Sequence, residues 1–157
     1  MFRGMRRSGQ QVSDGECRKV LREARRAVLS VNGDDGYPYG MPVNFYYDED
    51  EDAVYIHGSR RGHRADSVGR SDKVCLTLWD EGYREEGDWA FFVTSVVVFG
   101  RAETVDTDSA MDKLRALGMK YYPTAGEVEE EIAEDAGKVR ITRIRIESMT
   151  GKLVHEK

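Results

Sequence analysis

The sequence has few of the residues that build metal sites, disulfide scaffolds or extended linkers. Its 157 residues include two cysteines, three histidines and three prolines. Cys17 and Cys75 form no Cys-x-x-Cys pair, which excludes a disulfide scaffold and a cysteine-rich zinc module. The histidines at positions 57, 63 and 155 form no metal-binding motif, so we expect no metal site. No apolar run approaches the ~20 residues needed to cross a bilayer.

Negative charge exceeds positive charge, and this balance limits the partners. The formal net charge is −5, so nothing global attracts nucleic acid, and we expect neither a nucleic-acid nor a membrane partner. Residues 1–12 are basic but lack the apolar core of a secretory signal. We expect a mobile arm there, followed by a single domain over residues 13–157. Because both cysteines are interpreted as reduced thiols, we expect a cytoplasmic protein.

The apolar spacing predicts six or seven strands and three or four short helices. Ser13 and Glu16 have capping-box spacing before a helix over about 14–26. The predicted strands cover 27–31, 37–47, 53–57, 73–78, 89–105 and 139–146. Further helices are predicted over 61–69, after residues 106–108 with Gly118 as the stop, and after Thr124. Closely spaced antiparallel strands favour a mainly β barrel or sandwich with flanking helices.

Four local features give more specific predictions. Pro38 and Pro42 cannot donate to a ladder, so their strand must lie at an edge or a bulge. The acidic run 48–52 predicts a solvated hairpin tip. Gly100 predicts a bulge or a corner, and the slip in alternation at 142–143 predicts a bulged strand.

One segment is basic against the acidic background: His57-Gly58-Ser59-Arg60-Arg61-Gly62-His63-Arg64. It leaves a strand, passes two glycines and enters a predicted helix, whose N-terminus favours anions. Arginine binds phosphate through planar, bidentate donors. The segment is therefore either a site for one phosphomonoester or a basic surface loop that balances nearby acids. The Asn44 amide on the strand before it could bond the polar edge of a flat ligand, or belong to a turn or ladder.

Several segments resemble those of a known family in order and spacing. Asp35-Gly36-Tyr37-Pro38 with Pro42-Val43-Asn44-Phe45, Val54 to Ser59, Gly62-His63-Arg64, Ser95 to Ala102 and Ile146 to Lys152 are similar to segments of nitroimidazole-resistance proteins. These proteins belong to the flavoproteins related to pyridoxamine 5′-phosphate oxidase. The resemblance implies a split β-barrel homodimer with FMN at the dimer interface.

The resemblance also implies roles for individual residues. Phosphate binding is implied for Gly62, His63 and Arg64, with Ser59 and Arg60 nearby. Contact with the flavin ring is implied for Pro42, Val43 and Asn44, and contact from the partner subunit for Ser95 and Val96. His57 is implied to lie beside the flavin as the candidate catalytic residue, although a buried, hydrogen-bonded histidine is an alternative interpretation. Arg64 stands where relatives commonly have lysine, which keeps the positive charge.

The resemblance implies an FMN-dependent oxidoreductase that reduces a small aromatic or nitroaromatic substrate. An alternative is a non-catalytic carrier or sensor that binds flavin, deazaflavin or haem. Fold alone does not decide between these functions, because one fold hosts many activities.

Overall fold

Seven antiparallel strands form one continuous sheet in the computed structural model, which describes residues 1–157. The strands are β1 (Ala27–Asn32), β2 (Pro38–Val43), β3 (Tyr46–Asp48), β4 (Ala53–Ser59), β5 (Lys73–Trp79), β6 (Phe92–Val105) and β7 (Val139–His155). The helices are α1 (Asp14–Glu23), α2 (His63–Arg70), α3 (Met111–Tyr121) and α4 (Ala125–Asp135). The prediction of a mainly β fold with flanking helices is confirmed. None of these helices has the length and apolar character needed to cross a bilayer.

The sheet curls into a barrel because its two edge strands are neighbours in sequence. The strand order is β2-β1-β5-β6-β7-β4-β3, so β2 and β3 lie at opposite edges. Only Asn44 and Phe45 connect them, and a connection this short spans at most about 11 Å. The edges therefore lie close together without a ladder between them, which makes a split barrel. The predicted strand 37–47 is wrong as one element, because the chain leaves the sheet at this crossover.

Tyr121 at the end of α3 fastens the crossover. Its hydroxyl accepts a hydrogen bond from the Phe45 N–H at 2.9 Å and donates to the Arg25 carbonyl at 2.7 Å. The Phe45 side chain is fully buried in the barrel. One hydroxyl thus connects α3, the crossover and the segment that precedes β1.

The proline prediction is confirmed, since β2 is an edge strand. β2 pairs only with β1, with Pro38 opposite Asn32 and Pro42 opposite Val28. The outer side of β2 therefore keeps backbone polar groups that no neighbouring strand satisfies.

Helix α1 closes one end of the barrel, and its start is confirmed. Ser13 Oγ accepts from the Glu16 N–H at 3.2 Å, and the Glu16 carboxylate accepts from the Ser13 N–H at 2.8 Å. The helix ends at Glu23 rather than at residue 26. Residues 1–12 run beside the sheet, where Phe2 stacks on Phe99 at 5.5 Å between ring centroids.

The acidic run 48–52 is a hairpin turn, but the prediction that it is wholly solvated is wrong. Asp48 is buried, and its carboxylate lies 2.5 Å from Lys113 Nζ of α3. Asp52 pairs with Arg18 of α1. The like charges are therefore neutralised by cations from two helices rather than by water alone.

Two further predictions need correction. Gly118 does not end α3 but lies inside it, where a Cβ would come within 2.7 Å of a Val128 methyl group of α4. The glycine thus permits close packing of two helices. The bulge in β7 lies not at 142–143 but opposite Gly100, where Phe99 pairs with Ser148 and Gly100 with Ile146. The bulge predicted at Gly100 is confirmed.

Candidate functional site

An open groove lies where β2 leaves the barrel and approaches β4 and α2. Its volume is about 320 Å³. Its walls are formed by Arg26, Pro42, Val43, Asn44, His57 and Arg64. Five of these six are residues that the sequence singled out. The fold brings them together because the crossover at Asn44 passes beside the C-terminal half of β4.

The β2 side of the groove offers polar groups to a flat ligand. Pro42 and Asn44 are exposed, whereas the Val43 side chain is buried in the core. Val43 can therefore contribute its backbone but not its side chain. The Asn44 amide makes no hydrogen bond within the protein, and the outer edge of β2 has no strand partner. Such a wall can hydrogen-bond the polar rim of a planar molecule.

His57 lies on β4 and separates the groove from a second cavity on the side of α3 and α4. Its ring is accessible to solvent, although both walls restrict the water around it. This partial loss of hydration lowers the pKa of His57 below its ordinary value of 6.5, and the nearby Arg64 charge lowers the pKa further. The imidazole is therefore mainly neutral at pH 7, so one ring nitrogen accepts a hydrogen bond and the other donates one.

Arg64 is the most unusual cation of the groove. It is half-buried, yet it takes part in none of the ion pairs or hydrogen bonds of the protein, whereas nearby Arg70 pairs with Asp34 at 2.6 Å. Burial lowers the pKa of Arg64, but arginine stays charged. A half-buried charge without a partner is costly. The arrangement therefore fits an anion supplied by a ligand.

Gly58 determines where the Arg64 guanidinium lies. A Cβ at residue 58 would be 1.6 Å from Nη2 of Arg64. Only a glycine lets the guanidinium approach β4 this closely. The guanidinium also faces a smaller pocket of about 100 Å³, which Ser59, Arg140 and Thr142 help to line.

The other predicted phosphate-binding residues have different surroundings. The His63 ring stacks on Tyr39 at 4.0 Å and places Nε2 3.5 Å from the Asp34 carboxylate, so it faces the turn between β1 and β2. Arg60 Nε donates to the Val139 carbonyl at 3.3 Å. Gly62 precedes α2 with a φ of +108°, a conformation that favours glycine. Ser59 Oγ accepts from the Arg61 N–H at 3.2 Å.

Ser95 and Val96 lie elsewhere. They belong to β6, between β5 and β7, and neither lines the groove. The Val96 side chain is fully buried in the core. Within one subunit they do not meet the other site residues, so a contact from a second subunit stays a prediction.

Two arginines of the site were not predicted. Arg26 follows α1 and lines the groove, and Arg140 near the start of β7 lines the smaller pocket. The Arg25-Arg26 pair immediately before an apolar strand was the available signal for the first. No local signal marks Arg140, because only its pairing opposite Gly58 brings it near Arg64.

Comparison with known proteins gives a consistent result. The family described as pyridoxamine 5′-phosphate oxidase matches residues 13–153. No curated protein matches the sequence. A candidate 5-nitroimidazole antibiotic resistance protein from Bacteroides thetaiotaomicron superposes with a TM-score of 0.73 at 18% identity, over 92% of this chain and 87% of that one.

Two other solved structures are similar in fold. An FAD-binding protein from Mesorhizobium loti has a TM-score of 0.66 at 23% identity, over 92% of this chain and 97% of that one. A flavocytochrome from Azotobacter vinelandii has a TM-score of 0.76 at 22% identity, over 96% and 72% respectively. At these identities the superpositions show a shared fold, and the split barrel is thereby confirmed.

Proposed function

Because the chain belongs to the pyridoxamine 5′-phosphate oxidase family, we propose that it is an FMN-binding oxidoreductase that reduces a small aromatic or nitroaromatic substrate. The observation that carries this proposal is the half-buried, unpaired Arg64 in a groove with a free strand edge. Two proteins of similar fold, one described as FAD-binding and one as a nitroimidazole resistance protein, support the same function.

The residues of the groove fit a phosphorylated flavin. Arg64 would bind the terminal phosphate, with the N-terminus of α2 beside it. Asn44 and the outer edge of β2 would bond the polar rim of the ring system. Arg64 is the only half-buried guanidinium of the groove, which matches a single phosphate group and favours FMN over FAD.

Bound flavin supplies the electron pair for the reaction. The protein residues orient the ring, exclude water from one face and supply protons. Reduction of a nitro group to a nitroso group and water consumes two electrons and two protons. His57, which separates the groove from the neighbouring cavity, is placed to relay one of those protons, its unprotonated ring nitrogen taking up a proton from solvent as the opposite N–H gives one to the substrate.

We further propose that the active form is a homodimer. The surface area of one subunit is 9691 Å², whereas a compact monomer of 17.8 kDa exposes about 8,000 Å². Large aromatic side chains are also exposed around β5 and β6, namely Trp79, Tyr83, Trp89, Phe91 and Phe99. Such a patch favours burial against a second copy, which would also bring Ser95 and Val96 near a groove of the partner.

Sizing at micromolar concentration should give twice the subunit mass. A monomer that holds FMN tightly would contradict an interface site.

The cysteines bear on localisation. Cys17 and Cys75 are both free, which supports a reducing compartment such as the cytoplasm. Cells that express a tagged chain can be fractionated, and the protein should be recovered with the cytoplasm. Recovery with an oxidising compartment would contradict this proposal.

The binding experiment compares two arginines close in sequence. Arg64→Ala should weaken FMN binding by about 1.5–3 kcal/mol, the scale of a hydrogen bond to a charged group. Arg61→Ala removes the same charge from an exposed position and should change the affinity little. Arg64→Lys keeps the charge and should retain most of the binding. Equal effects of Arg64→Ala and Arg61→Ala in a fluorescence titration would remove Arg64 from the site.

Turnover separates an enzyme from a carrier or sensor. FMN-loaded protein is reduced with dithionite under anaerobic conditions and mixed with nitrobenzene. An oxidoreductase should return the flavin absorbance with formation of nitroso product. Reduced flavin that persists with nitrobenzene and with a 5-nitroimidazole would favour the non-catalytic alternative.

A further inference from the structure

A second cavity lies on the other side of His57, beneath the hairpin of α3 and α4. Its volume is about 90 Å³, several times the ~30 Å³ that a water molecule occupies in the liquid, so it admits one small ring or a short aliphatic chain. Leu114 and Leu117 of α3 face Val128 and Ile132 of α4 across it. An apolar space of this kind is suited to the hydrophobic end of a small molecule.

Besides His57 and Tyr122, the polar residues of this cavity are carboxylates. Glu131 and Asp135 lie one helical turn apart on α4 and both line it. Asp135 is neutralised by Lys138, whose Nζ lies 2.6 Å from its carboxylate. Glu131 is exposed and belongs to no ion pair; it interacts with the Tyr122 hydroxyl, and its negative charge partly opposes the lowering of the pKa of His57. One ammonium thus faces two carboxylates, so the cavity keeps a net negative charge.

The two sides of His57 thus differ in the sign of their charge. The groove has Arg26 and Arg64, whereas the cavity has Glu131. An anion is favoured in the groove and a cation in the cavity, so the two spaces select different chemical groups. Because His57 lines both, a molecule in the cavity would lie next to a ligand in the groove.

We propose that this cavity is the substrate pocket and that it takes a small apolar molecule bearing a basic amine or a protonated heterocycle. This assignment rests on the proposed oxidoreductase function, because it names the class of substrate that would lie beside the flavin. The apolar end lies between α3 and α4, and the cationic group lies near Glu131. Anionic analogues of the same shape bind more weakly, because the same carboxylate repels them.

The test uses two probes of similar shape and opposite charge, 2-phenylethylamine and 3-phenylpropionate. Each is titrated by NMR into flavin-free protein and into FMN-loaded protein, with the His57 ring and the Leu114 and Leu117 methyl groups as reporters. We expect the amine to bind about tenfold more tightly than the carboxylate, because attraction to one is replaced by repulsion of the other. Failure of the amine to shift these signals, or equal binding of the carboxylate, would overturn the proposal.

Two variants on one helix identify the charge responsible. Glu131→Gln should remove the preference for the amine while leaving binding of the apolar end intact. Glu130→Gln is the matched control, since residue 130 lies on α4 but does not line the cavity. Equal preferences in both variants would contradict the role of Glu131.

The design separates this proposal from the proposed function. Probe binding in flavin-free protein is read without any cofactor, so it can succeed although FMN fails to bind. Conversely, FMN binding without a response of the cavity signals would contradict the substrate pocket alone.

Discussion

Replacement of Gly58 by alanine tests how the groove holds its cation. A Cβ at this position would be 1.6 Å from Nη2 of Arg64, so the guanidinium must move outward by about 2 Å to reach ordinary contact. The obstructed atoms are the far end of a flexible side chain, and alanine costs less entropy in a strand than glycine. The free energy of unfolding should therefore change by less than about 1 kcal/mol.

The effect on FMN binding should be much larger. A guanidinium displaced by this distance loses its hydrogen bond to phosphate, which corresponds to about 1.5–3 kcal/mol, or a factor of roughly 10 to 150 in affinity. Flavin fluorescence quenching measures the affinity, and thermal unfolding measures the stability. Gly58→Ala should thus resemble Arg64→Ala in binding without being unstable.

A second glycine in a strand is the control. At Gly40 of β2 a Cβ would meet its neighbours only at 3.5 Å, an ordinary contact. Gly40→Ala should leave both affinity and stability nearly unchanged. If Gly58→Ala bound FMN as tightly as the unaltered protein, the argument that Arg64 reaches phosphate from its position on β4 would be refuted.

Three further outcomes are expected. Gly118→Ala should lower the free energy of unfolding by about 1–3 kcal/mol through overpacking against Val128. Chemical denaturation measures this loss, and adding Val128→Ala to the same chain should restore most of the stability. No loss in the single variant would contradict the close packing. Lys113→Met should lower the free energy of unfolding by about 3 kcal/mol at pH 7, because Asp48 stays buried and charged without its partner. An equal loss at pH 3 would argue against that cause. The NMR titration of His57 should have its midpoint below pH 6.5. Because the unfolded state then binds more protons, this residue should reduce stability as the pH falls below that value; a midpoint at or above 6.5 would contradict its burial.

Much of the fold follows from local patterns in the sequence. Alternation and turn residues predict most strands, because each strand has one face on the core. The prolines of β2 predict an edge strand, since a residue without an N–H cannot serve an interior ladder. The Ser13 capping box predicts the start of α1. These features depend on neighbours a few positions away.

The incorrect predictions concern residues whose partners are distant in sequence. Asp48 of the acidic run pairs with Lys113, more than sixty positions later, and Asp52 pairs with Arg18, more than thirty positions earlier. Gly118 suggests the end of a helix until α4 is placed against it. The 17-residue length of β7 follows from pairing with both β4 and β6. No periodicity within one segment carries that information.

The candidate site shows the same division. The basic segment 57–64 was identified from composition, and the structure places His57 and Arg64 in one groove. His63 belongs to the same basic segment, but its ring stacks on Tyr39 and faces Asp34 instead of the groove. Only the packing of α2 against the β1–β2 turn distinguishes these neighbours.

The central claim is that the groove at Arg64 binds FMN. The most direct measurement is a visible absorption spectrum of the freshly purified protein, with the released cofactor identified by its mass. The account predicts a yellow protein that yields FMN and loses its colour in the Arg64→Ala variant. A colourless protein that does not take up added FMN would contradict it.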